Sequence, residues 1–274
     1  MTEHTSERAD FTALTIERRG TAPRLEGWIW MSRPQLHNAF DEVLIEELTR
    51  AFALLDADED VRVIVLAGQG KSFSAGADLN WMRRLGTATY EKNLEDARGL
   101  ATLYRTISEC RTPTLARVHG AAIGGGMGLA AACDICIAST TAAFAASEVR
   151  LGIIPSAISP YVVRAMGERQ AYRYFQTGER ISAERAREIG LAHEAVPPDE
   201  LDATVGKLIE SLLACGPMAQ AASIDLIRAV VHKAVDDGVV ADTAERIAKI
   251  RATPEAQEGL SAFLDKRPAS WTLS

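Results

Sequence analysis

Phe73-Ser74-Ala75-Gly76-Ala77-Asp78-Leu79 and, further along, Gly120-Ala121-Ala122-Ile123-Gly124-Gly125-Gly126-Met127-Gly128 decide how this chain folds. Each glycine-rich stretch follows an apolar run that reads as a buried strand: Val61 to Ala67 before the first, Leu115 to Val118 before the second. The second opens straight into a helix-like segment, Met127 to Ala132. Small residues at such places let backbone N–H groups approach a ligand closely. Two N–H donors converging on one oxygen form an oxyanion hole, in which each donor is worth about 3–4 kcal/mol. The spacing suggests that pair.

Outward from these turns, Phe11 to Arg18 and Trp28 to Met31 read as strands around a turn. Arg33-Pro34 breaks the second, and Asp41 starts an amphipathic helix carrying Leu44, Leu48, Phe52 and Leu55. Tyr90 to Cys110 is a long helical pattern with Leu100, Leu103, Tyr104 and Ile107 on one stripe. Cys133 to Ala138 and Ala142 to Ala145 read as short strands. The alternation of strand and helix predicts crossover units and a largely parallel sheet. From Ala157 on the chain reads as helical, and Pro197-Pro198 is the best boundary. The expected division is a frayed tail over 1–10, a core with the site over 11–197, and a helical oligomerisation region over 198–274.

A chain of 274 residues, 47% hydrophobic and 24% charged, can bury a substantial core. The net charge of −7 disfavours nucleic acid, whose phosphates need a basic face. No apolar run is long enough to span a bilayer, so no membrane is expected. Met1 to Asp10 resembles neither a secretory signal nor a transit peptide, which makes the cytoplasm the expected compartment.

Cys133-Asp134-Ile135-Cys136 has the form of a CxxC, but without a second pair or nearby histidines it reads as small buried residues, and no metal is expected. Dinucleotide, P-loop and nucleophile-elbow patterns are absent. Glu148, in Ala146-Ser147-Glu148-Val149-Arg150, is the candidate acid/base, since its apolar flanks predict desolvation and a raised pKa. The competing reading pairs it with Arg150 or a helix N-terminus. Asp78 reads as a cap before it reads as catalytic, and His119 as a satisfied structural histidine. Trp81, Met82 and Tyr90 line an acyl pocket or belong to the core. Lys266-Arg267 beside Phe263 offers cations and a flat ring for a phosphorylated adenine nucleotide, or is a solvated helix end.

In order and spacing, Arg33-Pro34 with Asn38-Ala39, Phe73 to Leu79, Gly124-Gly125-Gly126 with Cys133-Asp134-Ile135, and Gly152-Ile153-Ile154-Pro155 resemble the crotonase (enoyl-CoA hydratase/isomerase) superfamily. The resemblance implies an α/β fold: a spiral of ββα units followed by an α-helical C-terminal trimerisation region, assembled as a homotrimer or a dimer of trimers. It implies an acyl-CoA thioester as substrate and no separate cofactor. The oxyanion donors carry over to the N–H groups of Ala77 and Gly125. The adenine is expected near the backbone of Ala75, Ala77, Asp78 and Leu79, and the rest of the substrate near Gly124, Gly128, Trp81 and Ser156. Phe263 and Lys266 match a C-terminal pair that reaches the CoA of a neighbouring subunit. Asn80 replaces a basic residue common in the family.

Typical hydratases of the family carry two glutamates. Glu148 matches the second, while Gly128 stands where the first is expected. Ser147-Glu148-Val149-Arg150, Ile158-Ser159-Pro160-Tyr161 and the end Glu258 to Arg267 look like bacterial methylglutaconyl-CoA and carboxygeranoyl-CoA hydratase-like proteins, whose substrates carry a second carboxylate. Arg150 is the nearest cation for it. The expected reaction is hydration of an α,β-unsaturated acyl-CoA by one glutamate. The alternatives are a Δ3,Δ2-enoyl-CoA isomerase, a non-catalytic CoA-binding relative, or an RNA-associated one.

Overall fold

A computed structural model of the chain describes residues 5–7 and 11–272. Two sheets organise it. The larger has seven strands in the order β1-β2-β3-β4-β5-β7-β10, and the smaller has three in the order β6-β8-β9. The strands of the larger sheet are β1 (Thr5–Glu7), β2 (Leu14–Arg19), β3 (Leu25–Met31), β4 (Val61–Gly68), β5 (Thr114–Val118), β7 (Ile135–Ser139) and β10 (Glu194–Val196). Those of the smaller are β6 (Ala121–Ile123), β8 (Ala143–Ala145) and β9 (Ile181–Ser182). From β3 to β10 the large sheet is parallel, while β1, β2 and β3 pair antiparallel.

Each turn of the chain crosses both layers before a helix returns it. Strand β5 hands over to β6 and then helix α4 (Gly125–Ala132); β7 hands over to β8 and, after the segment bearing Glu148, α5 (Ser159–Met166). The earlier turns use single bridges in place of a second strand. Strand β3 leads to the Phe40↔Ala77 bridge and helix α1 (Glu42–Asp56), and β4 leads to the Ser74↔Ala122 bridge, then α2 (Leu79–Gly86) and α3 (Tyr90–Glu109). This is a spiral of ββα units, as the resemblance implies.

Strand β4 is buried along its whole length because both of its faces are covered. Ile64 and Leu66 face the main core with Leu44, Leu48 and Phe52 of α1. Val63, Val65 and Ala67 face the other way, onto Leu201, Val205, Ile209 and Leu213 of α8 (Leu201–Leu213). Helix α8 therefore belongs to the sheet's cover although it follows Pro197-Pro198, so the second layer of the core extends past that boundary. Helices α9 (Pro217–Val230), α10 (Asp237–Arg251) and α11 (Pro254–Leu264) pack on one another beyond it. Between α5 and α8 lie α6 (Glu168–Thr177) and α7 (Ala183–Glu188).

Two expectations need correction. Of the frayed tail, residues 1–4 and 8–10 lie outside the described residues, but Thr5–Glu7 pairs antiparallel with β2 and covers that side of it, as sheet edges generally demand. Cys133 ends α4 rather than starting a strand, because the helix closes on it through Cys133 N–H to Leu129 O. Both Cys133 and Cys136 are free and buried, and burial pushes the Cys136 thiol up to about 12.

Asn38 sets the first glycine turn. It is fully buried in the left-handed region (φ 54°), which asparagine tolerates. Its Nδ2 donates to the carbonyls of Gln69, Ser72 and Phe73 at 3.0, 2.9 and 3.2 Å, and its Oδ1 accepts from Arg33 N–H at 2.9 Å. Asn38→Ala leaves these buried groups without partners and is expected to lower stability by about 3 kcal/mol, measured by urea unfolding.

Candidate active site

The two glycine turns are stitched together by strand-type bonds. Ser74 N–H donates to Ala121 O and Ile123 N–H to Ser74 O, both at 2.9 Å, and Ser74 Oγ–H donates to Asn38 O at 2.8 Å. On the other side, Phe40 N–H donates to Gly76 O and Asp78 N–H to Phe40 O, both at 2.7 Å. This pattern uses the amides on either side of Ala77 and skips its own. Gly125 is the first residue of α4, where the N–H has no intrahelical acceptor. Among the described residues neither the Ala77 nor the Gly125 N–H has an acceptor.

Gly124 joins the turns to Glu148. Its φ of 51° favours glycine, and a Cβ there would lie 3.1 Å from Glu148 Oε1 and 4.0 Å from Gly76 Cα. All three residues line one cavity of about 370 Å³. Glu148 opens a short 3-10 turn, Glu148–Leu151, after β8. Its Oε2 is buried with no hydrogen-bond partner among the described residues, and burial raises its carboxyl above the ordinary carboxylate range. Among the described residues no ion pair joins it to Arg150. The Arg150 side chain instead lies against Gly178, where a Cβ would be 3.1 Å from its Nε. The ion-pair reading of Glu148 therefore fails.

Gly128 lies one helical turn below Gly124, and the space beside it is taken. A Cβ at Gly128 would lie 2.3 Å from Ile158 Cγ2 and 3.0 Å from Tyr104 Cε1. Tyr104 is fully buried, and its hydroxyl donates to Gly125 O at 3.0 Å. The place expected to hold a first glutamate is thus filled by an isoleucine and a tyrosine that braces the second glycine turn.

Of the other expected residues, Ala75, Ala77, Gly125, Trp81 and Ser156 line the cavity with Glu148 and Gly124. Met82 does too, whereas Tyr90 is exposed at the start of α3 and is not part of the lining. Asp78 caps α2 by accepting from Asn80 N–H and Trp81 N–H at 2.9 and 3.1 Å, as its cap reading has it. Leu79, Gly128, Phe263 and Lys266 are outside the lining; Leu79 and Phe263 are exposed at 70% and 81%. His119 is satisfied, with Nε2 2.9 Å from Gly70 O, and burial lowers its pKa. Among the described residues no His, Cys, Asp and Glu cluster could hold a metal, and no helix is long and apolar enough to cross a membrane.

The sequence reading missed the cavity wall supplied by α3. Asn93, Asp96 and Leu100, at helical spacing on α3, line the cavity beside Trp81, whose Nε1–H donates to Asp96 Oδ1 at 3.1 Å. Their spacing was a signal, but polar residues on a helix ordinarily mark a solvated face.

Residues 27–273 match the family described as enoyl-CoA hydratase/isomerase. The chain belongs to that family. Among solved structures of the crotonase fold, one from Legionella pneumophila, assigned to the enoyl-CoA hydratase/isomerase (crotonase) group, is 45% identical with a TM-score of 0.89, covering 95% of this chain and 99% of that one. An enoyl-CoA hydratase from Shewanella pealeana is 40% identical with a TM-score of 0.91, covering 96% and 97%. The mitochondrial enoyl-CoA hydratase of Pongo abelii is 30% identical over 96% of this chain and 89% of its own length.

Proposed function

We propose that this crotonase-family protein adds water across the double bond of an α,β-unsaturated acyl-CoA thioester, with Glu148 as its single acid/base. The observation that carries this is the buried, unpartnered Oε2 of Glu148 in the cavity shared by both glycine turns. As water attacks the β carbon, negative charge develops on the thioester oxygen. The Ala77 and Gly125 N–H groups, which have no acceptor among the described residues, are available to receive it. Glu148 takes the proton from water and returns one to the α carbon from the same face.

The CoA nucleotide runs along the backbone of Ala75, Ala77, Asp78 and Leu79, and Phe263 and Lys266 of a neighbouring subunit complete its site. Supporting that assembly are the exposed apolar residues Ile227, Val240, Leu260, Phe263 and Leu264 of α9–α11. Methylglutaconyl-CoA, expected from the closer resemblance, finds less support, because the cavity lining contains no Lys, Arg or His.

A second reading, Δ3,Δ2-enoyl-CoA isomerase, is favoured by the filled space at Gly128. One carboxylate over an oxyanion hole suffices to move a proton between carbons of the acyl chain. The test supplies α,β- and β,γ-unsaturated thioesters in heavy-oxygen water. Oxygen uptake into product is expected with the former. Double-bond migration without oxygen uptake would assign the isomerase, and neither change would end both readings.

A further inference from the structure

One wall of the cavity is polar and is not used by the hydration chemistry. Asp96 Oδ1 is held by Trp81 Nε1–H at 3.1 Å, which fixes the carboxylate; Oδ2 has no hydrogen-bond partner among the described residues. One turn earlier on α3, Asn93 turns its amide nitrogen to Ala88 O at 3.5 Å, and its Oδ1 likewise has no partner among the described residues. Both residues line the cavity, as do the apolar Leu85 and Leu100 around them. The free oxygens on this wall are acceptors, the Asp96 carboxylate foremost, and the second N–H of the Asn93 amide is a donor beside them. The nearby cations Arg84 and Lys92 pair with Glu42 and Glu95 at 2.6 and 2.8 Å, and neither lines the cavity.

We propose that the Asp96 carboxylate on this wall selects enoyl thioesters whose acyl chain carries a hydroxyl and turns away those ending in a carboxylate. A hydroxyl donates to the fixed Asp96 oxygen, whereas a second carboxylate meets a like charge in a cavity whose lining holds no Lys, Arg or His. Burial weakens the hydration of Asp96, so a donor brought by the substrate replaces contacts that water supplies poorly. The inference rests on the enoyl-CoA reading of the site and deepens it to a substrate class.

The test compares kcat/KM for an ω-hydroxy and an ω-carboxy enoyl-CoA of equal chain length, with the unsubstituted enoyl-CoA as reference. The wild-type protein is expected to favour the hydroxylated thioester over the carboxylated one by about tenfold or more. Asp96→Asn, which keeps the shape but adds a donor and removes the acid, is expected to shrink that ratio several-fold. Asn93→Lys, which places an ammonium on the same wall, is expected to shrink it as well. A wild-type ratio near unity would overturn the proposal whatever the variants do. So would an unchanged ratio in an Asp96→Asn variant that still processes the reference. If the wild-type protein neither hydrates nor isomerises the reference, the enoyl-CoA reading itself falls and takes this proposal with it.

Discussion

Glu148→Gln is expected to lower kcat by about a hundredfold or more while leaving KM for the thioester within a few-fold. The amide keeps the shape of the carboxyl beside Gly124 but cannot take the proton from water. The pH dependence follows from burial. The base works ionised, and its carboxyl is held above the ordinary carboxylate range, so the acid limb of the wild-type rate profile is displaced to higher pH. The same shift has a consequence for folding. The folded state binds this proton more tightly than the unfolded chain, so its contribution is present at low pH and is lost as pH rises through the raised pKa. Glutamine does not titrate. At neutral pH the variant is expected to melt at or above the wild-type temperature, and the difference is expected to close in acid. Steady-state kinetics and thermal melts across pH check both. Near-normal turnover in the folded variant would assign the proton transfer to another group.

Gly128→Glu, which writes the family's first glutamate back into the sequence, is expected to damage the protein rather than improve it. Even a single carbon there falls 2.3 Å from Ile158 Cγ2. Overpacking typically costs about 1–3 kcal/mol, and a buried carboxyl without a partner adds to it. The expected result is a melting temperature lower by roughly 6–12 °C and no gain in hydration rate. Adding Ile158→Ala makes room and is expected to recover part of the loss. A stable Gly128→Glu protein with faster water addition would show that the missing carboxylate, and not the filled space, defines the reaction.

The parts of the fold that depend on local chemistry were legible in the sequence. Val61 to Ala67 reads as a strand covered on both faces, Asp41 caps α1 through Leu44 N–H, and the glycine turns stand where the chain must come close to itself. Glu148 stood out because apolar neighbours flank a residue that water ordinarily keeps. What was illegible depends on partners distant in sequence. Strand β10 is three residues long and exists because β7 lends it an edge. Nothing local separates α8, which covers the sheet, from α9, in which no residue is buried. Nor does the sequence distinguish Asp96 on a cavity wall from the other acids of α3, since exposure to a pocket and exposure to solvent select the same residue types.

Ser74 carries a further implication. Its backbone is shared between the two turns and its side chain is tied to Asn38, so neither turn can shift without breaking bonds in the other. An arriving thioester meets a frame that is already set. The entropy lost on complex formation then falls on the flexible acyl chain and nucleotide rather than on the polypeptide around the reacting carbonyl.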